Sequence, residues 1–119
     1  MMETTIRPIA EGRSTYVNLN VVAITDCECA VILSVIHDWM QNDGTEYDGK
    51  KWIHCTLEKF SEILPFQRST IKRRLNRLRD EGILLTKNLN EYKFDKSLWY
   101  SIDYERLNNI IADSCKGWV

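Results

Sequence analysis

Two stretches of the chain carry contrasting hydrophobic patterns. From Cys27 to Met40, apolar side chains fall on nearly every side of a helical projection, which predicts a helix lying in the middle of a core. In the later stretch apolar residues recur only as Ile71, Leu75 and Leu78. That narrow stripe predicts an amphipathic helix with one face docked and the rest presented to solvent. The first of these helices has a start signal at Thr25, which with Glu28 forms a capping box, while Asp26 and Glu28 place negative charge where the helix dipole favours it. Its stop signal is Asn42-Asp43-Gly44. Residues 1–14 show no sustained period, Tyr16–Val22 reads as either extended or a short helix, and residues 1–24 together read as a partly ordered segment.

Between the two helices, residues 44–51 read as a polar loop closing on Asp48-Gly49, and Lys51–Cys55 alternates as a short strand. Thr56 caps a second helix over Leu57–Leu64, with Leu57, Phe60 and Leu64 at helical spacing. Pro65-Phe66-Gln67 forces a tight connection. The third helix then runs from Arg68 or Ser69 to Glu81 and stops at Gly82, a C′ glycine. Ile83–Thr86 and Trp99–Asp103 predict a hairpin with a long polar tip, Tyr104–Asp113 a closing helix, and residues 115–119 a tail. The predicted fold class is mainly α with a small β-hairpin, in the order of a winged helix-turn-helix over residues 25–114.

Charge sharpens this picture. The whole chain is nearly neutral, with 16 basic and 17 acidic residues in 119. Residues 1–66 nevertheless hold five basic side chains against ten acidic ones, whereas residues 67–96 hold nine basic against four acidic. Such a concentrated basic segment points to a polyanionic partner at one face. Opposite the Ile71-Leu75-Leu78 stripe lie Ser69, Arg73, Asn76 and Arg77, with Arg68, Thr70 and Lys72 on the flanks or at the start of the helix. Forked arginine donors suit guanine edges, an amide suits adenine, and hydroxyls and lysine suit phosphate oxygens. The hairpin adds Lys87, Asn88, Asn90, Lys93 and Lys96, placed to reach the backbone or the minor groove. Six cations and no anion between Arg68 and Arg79 cost helix stability, and a bound polyanion would offset that cost. The expected partner is double-stranded DNA.

Several pieces carry a family resemblance. They are Ala30-Val31-Ile32-Leu33 with Ile36-His37-Asp38-Trp39, Asp48-Gly49-Lys50-Lys51-Trp52-Ile53, Ser69-Thr70-Ile71-Lys72-Arg73, and Trp99-Tyr100-Ser101-Ile102-Asp103-Tyr104. Over residues 25–108 the chain resembles the N-terminal winged-helix domain of phage and plasmid replisome-organiser proteins of the DnaD-associated type. The resemblance implies a protein of Gram-positive mobile elements that binds origin DNA and helps recruit host replication proteins in initiation. Members usually carry a second domain after the winged helix. This chain stops at Val119, so it reads either as that one domain or as a short relative, the latter favouring a stand-alone transcriptional regulator or an inhibitor.

Other classes find less support. The four cysteines lack a CxxC spacing, and Cys27 and Cys29 point to different helix faces, so no metal site and no cofactor is expected. They read as reduced, mostly buried thiols. No nucleophile elbow, phosphate loop, zinc-protease motif or paired carboxylate argues for an enzyme. The longest apolar run, Ala30–Ile36, is broken by Ser34, and the N-terminus lacks a signal-peptide layout. The expected location is the bacterial cytoplasm, on the nucleoid when bound, with no membrane partner. The acidic N-terminal half, with Asp43, Glu46 and Asp48, is an alternative surface for a host protein or for a second copy in a homodimer.

Overall fold

A computed structural model describes Gly12, residues 14–89 and residues 98–115. Among the described residues nine elements follow one another: α1 (Leu19–Ile24), α2 (Cys27–Asp43), β1 (Thr45–Tyr47), β2 (Lys50–Cys55), α3 (Leu57–Ile63), α4 (Arg68–Asp80), β3 (Leu84–Lys87), β4 (Leu98–Ile102) and α5 (Tyr104–Cys115). The strands form one antiparallel sheet in the order β1-β2-β4-β3.

The start of α2 differs from the capping box expected at Thr25. Asn18 caps α1 through its side-chain oxygen, and the Thr25 hydroxyl donates back to the Val21 carbonyl at 2.6 Å. Thr25 is thereby spent on closing α1, and Asp26 becomes the N-cap of α2, accepting from the Cys29 N–H at 2.7 Å. Val21 of α1 is buried with the main core, so the region expected to be partly ordered contributes to packing. α2 sits where its pattern placed it, against α1, α4, β2 and β4, burying Cys29, Ala30, Ile32, Leu33, Ile36 and Met40.

The mainly α expectation with one small hairpin gives way to a mixed fold with a four-stranded sheet. Residues 45–47 are a strand where a polar loop was expected, and the reason is the turn. Asp48 and Gly49 both take positive φ, 52° and 76°, the geometry of a two-residue type I′ hairpin. All three β1 residues are exposed, so no apolar alternation marks the strand. Farther along, Ile53 pairs with Tyr100 and Cys55 with Leu98, tying β2 to β4 across the chain. Ile53, Cys55, Tyr100 and Ile102 are buried, and Tyr100 meets the Phe60 ring edge-on at 5.4 Å.

The segment 56–83 behaves as its pattern predicts. Thr56 caps α3 by accepting from the Lys59 N–H at 3.1 Å, and Leu64 to Gln67 make the short connection to α4. Ile71, Leu75 and Leu78 are the buried residues of α4. Gly82 ends it with φ 79°, where the Gly82 N–H bonds to the Arg79 carbonyl and the Ile83 N–H to the Leu78 carbonyl. That paired arrangement is the Schellman motif. After β4, the Asp103 carboxylate accepts from the Arg106 N–H and starts α5. Among the described residues no helix is long and apolar enough to cross a membrane.

Candidate nucleic-acid interface

The docked stripe of α4 turns the opposite side of the helix outward. Arg68, Ser69, Lys72 and Arg73 are exposed there, and Thr70 and Asn76 are half-buried on its borders. Arg68 lies 3.6 Å from Glu58 of α3, a solvent-exposed pair that contributes little stability. Lys72 and Arg73 have no carboxylate partner among the described residues, so their charges face outward uncompensated.

Arg77 departs from the expectation of a free, outward cation. Its Nη1 donates to Asp26 Oδ2 at 2.9 Å, and its Nε donates to Glu81 Oε1 at 3.3 Å. Arg74 reaches the same cap: its Nε is 3.1 Å from Asp26 Oδ2, and its Nη2 donates to Glu28 Oε2 at 3.1 Å. Arg79 pairs with Asp80 at 3.3 Å. Four of the six α4 cations thus meet carboxylates of this chain, so part of the cost expected of a run of like charge is already offset without a bound polyanion. The acidic pair Asp80-Glu81, unfavourable for the α4 dipole, is accounted for by its partners Arg79 and Arg77.

Partial burial disfavours the Asp26 carboxylate, but the Cys29 N–H and thiol, with Arg74 and Arg77, outweigh it and hold its pKa below the usual value. The Glu81 hydrogen bond is the main reason the Arg77 pKa lies above its usual value. Asp26 and Glu28 are participants that the pattern of the chain did not flag as neighbours of α4. They lie 46 to 51 residues from their arginine partners, and no local spacing announces such a pair.

Comparisons with known proteins return no match of this chain to any family model, any curated protein or any solved structure.

The hairpin after α4 contributes through its base. Lys87 is exposed at the end of β3, with its Nζ 4.9 Å from the centre of the Tyr47 ring. β1 and β3 are opposite edges in the strand order, and the long Lys87 and Tyr47 side chains bring them into contact. Asn88 is exposed next to it and lines a recess of about 390 Å³ with Thr45, Glu46, Tyr47, Leu89 and Trp99. Asn90, Lys93 and Lys96, assigned to the hairpin tip, lie outside the described residues.

Cys27 is exposed, while Cys29 and Cys55 are buried, and burial pushes both buried thiols up to about 12. Among the described residues no group of three or more His, Cys, Asp and Glu side chains gathers as a metal site requires. His37, on α2, shares a 2.6 Å hydrogen bond between its Nδ1 and the Tyr104 hydroxyl, and His54 stacks on Trp99 at 5.1 Å.

Proposed function

We propose that this chain is a winged helix-turn-helix domain that binds double-stranded DNA. In this reading α3 and α4 form the helix-turn-helix, α4 enters the major groove, and the β3–β4 hairpin is the wing. The observation that carries it is the outward face of α4, where Lys72 and Arg73 stand beside exposed Ser69 without carboxylate partners among the described residues. Lys72 and Ser69 suit phosphate oxygens, and Arg73 and Asn76 suit base edges. Lys87 and Asn88 extend the polar surface into the base of the wing.

The resemblance to replisome organisers supports a role in starting replication of a mobile element. A stand-alone transcriptional regulator would use the same surface. The mapping experiment is an amide NMR titration with a short duplex. Shift changes centred on 68–76 and 87–88 are expected. Changes centred on Asp43, Glu46 and Asp48 instead would overturn the assignment of α4 and favour a protein-docking role for the acidic half.

A further inference from the structure

Asp26 occupies an unusual position for an N-cap. Its Oδ1 accepts from the first turn of its own helix, while its Oδ2 lies 3.1 Å from Arg74 Nε and 2.9 Å from Arg77 Nη1 of α4. One carboxylate therefore spends one oxygen on starting α2 and the other on two guanidiniums of the neighbouring helix. Glu28 takes the far end of Arg74, and Glu81 takes the Nε of Arg77. Oδ2 is bound by Arg74 and Arg77 in the way a phosphate oxygen would be.

We propose that Asp26 is a positioning residue for the DNA-contacting face of α4. Its carboxylate, helped by Glu28 and Glu81, withholds Arg74 and Arg77 from phosphate, so that α4 presents Lys72 and Arg73 instead. This role rests on the DNA-binding reading above. Arg77 is half-exposed and already has two of its five N–H donors on carboxylates that offset its charge, so a phosphate there competes with partners in place. Lys72 and Arg73 need give up no such partner among the described residues.

The test is the salt dependence of duplex affinity for the full chain and its variants, each checked for native circular dichroism and melting. Every phosphate contact contributes a log–log slope of about −0.9, or about 3.5-fold in affinity between about 50 and 200 mM salt. Lys72→Gln should flatten the slope by about that amount, whereas Arg77→Gln should leave it unchanged. Asp26→Asn/Glu81→Gln frees Arg77 while keeping an amide that still caps α2, and it should steepen the slope by about 0.9. If Arg77→Gln flattens the slope as Lys72→Gln does, or the double variant leaves it unchanged, the positioning role is overturned and DNA binding stands. If the wild-type chain binds no duplex, or Lys72→Gln does not flatten its slope, the reading of the α4 face falls and this role with it.

Discussion

Arg77 Nη1 on α4 and Asp26 Oδ2 at the cap of α2 are 2.9 Å apart, joining residues 51 positions apart. The Ile71-Leu75-Leu78 stripe seats the basic helix, and this pair sets two of its arginines apart from the cations that face outward. Arg74 and Arg77 are committed to carboxylates of α2, or of α4's own C-terminal end, while Lys72 and Arg73 project outward.

Within the outward set, roles should separate. After selection of a preferred duplex from a random pool, Arg73→Ala or Asn76→Ala should relax preference at one base pair by about 1–3 kcal/mol. Lys72→Ala should weaken all duplexes alike. Competition binding against single-base variants checks this, and equal loss on every duplex for all three substitutions would remove the base-reading role.

Two glycines should fail for different reasons. Gly44 ends α2 with ordinary φ, −63°, but a Cβ there would collide with the Met40 carbonyl oxygen and lie 3.0 Å from the Lys51 Cβ. Gly44→Ala should destabilise by about 1–3 kcal/mol through overpacking. Gly82 has room for a methyl but takes φ 79°. Gly82→Ala should cost about 1 kcal/mol, and Gly82→Asn, which tolerates that conformation better, should cost less. Urea unfolding measures both, and a neutral Gly44→Ala would contradict the close approach.

The Asp26 carboxylate has a pKa lowered from its ordinary 3.8, so folding favours its charged form. Its contribution is complete above that ordinary value and is lost as pH falls through the lowered folded value. The stability gap between wild type and Asp26→Asn should therefore be constant through neutral pH and narrow below pH 3.8. Urea midpoints across an acid series check the sign, and a gap that widens in acid would contradict it.

Thiol chemistry reports on the same core. With Cys29 and Cys55 raised to about 12 and buried, both stay neutral thiols at mildly alkaline pH. Iodoacetamide should label exposed Cys27 well before either, as read by peptide mass. Equal labelling of Cys29 in the native chain would place it at the surface.

Features that were legible in the sequence are those set by neighbours along the chain. The Ile71-Leu75-Leu78 stripe, the Thr56 cap and the Gly82 stop each depend on residues within one or two helical turns, and each appears in the fold. β1 escaped because its three side chains are all exposed and leave no hydrophobic trace, although Asp48-Gly49 carried the local hairpin signal. Thr25 and Asp26 are both good caps, and only the ending of α1 decides between them. At the candidate site, the outward positions of Arg68, Ser69, Lys72 and Arg73 followed from helical period alone. The recruitment of Arg74 and Arg77 by Asp26 did not, because it depends on how α2 and α4 pack.

The most direct test of the account is fluorescence anisotropy of a labelled random duplex with the wild-type chain and with Lys72→Ala/Arg73→Ala, at about 50 and 200 mM salt. Micromolar binding by the wild type, weakened more than about tenfold at the higher salt and lost in the double variant, is the expected result. Absence of binding at the lower salt, or binding equal in the double variant, would contradict the assignment of α4 as a DNA-contacting helix.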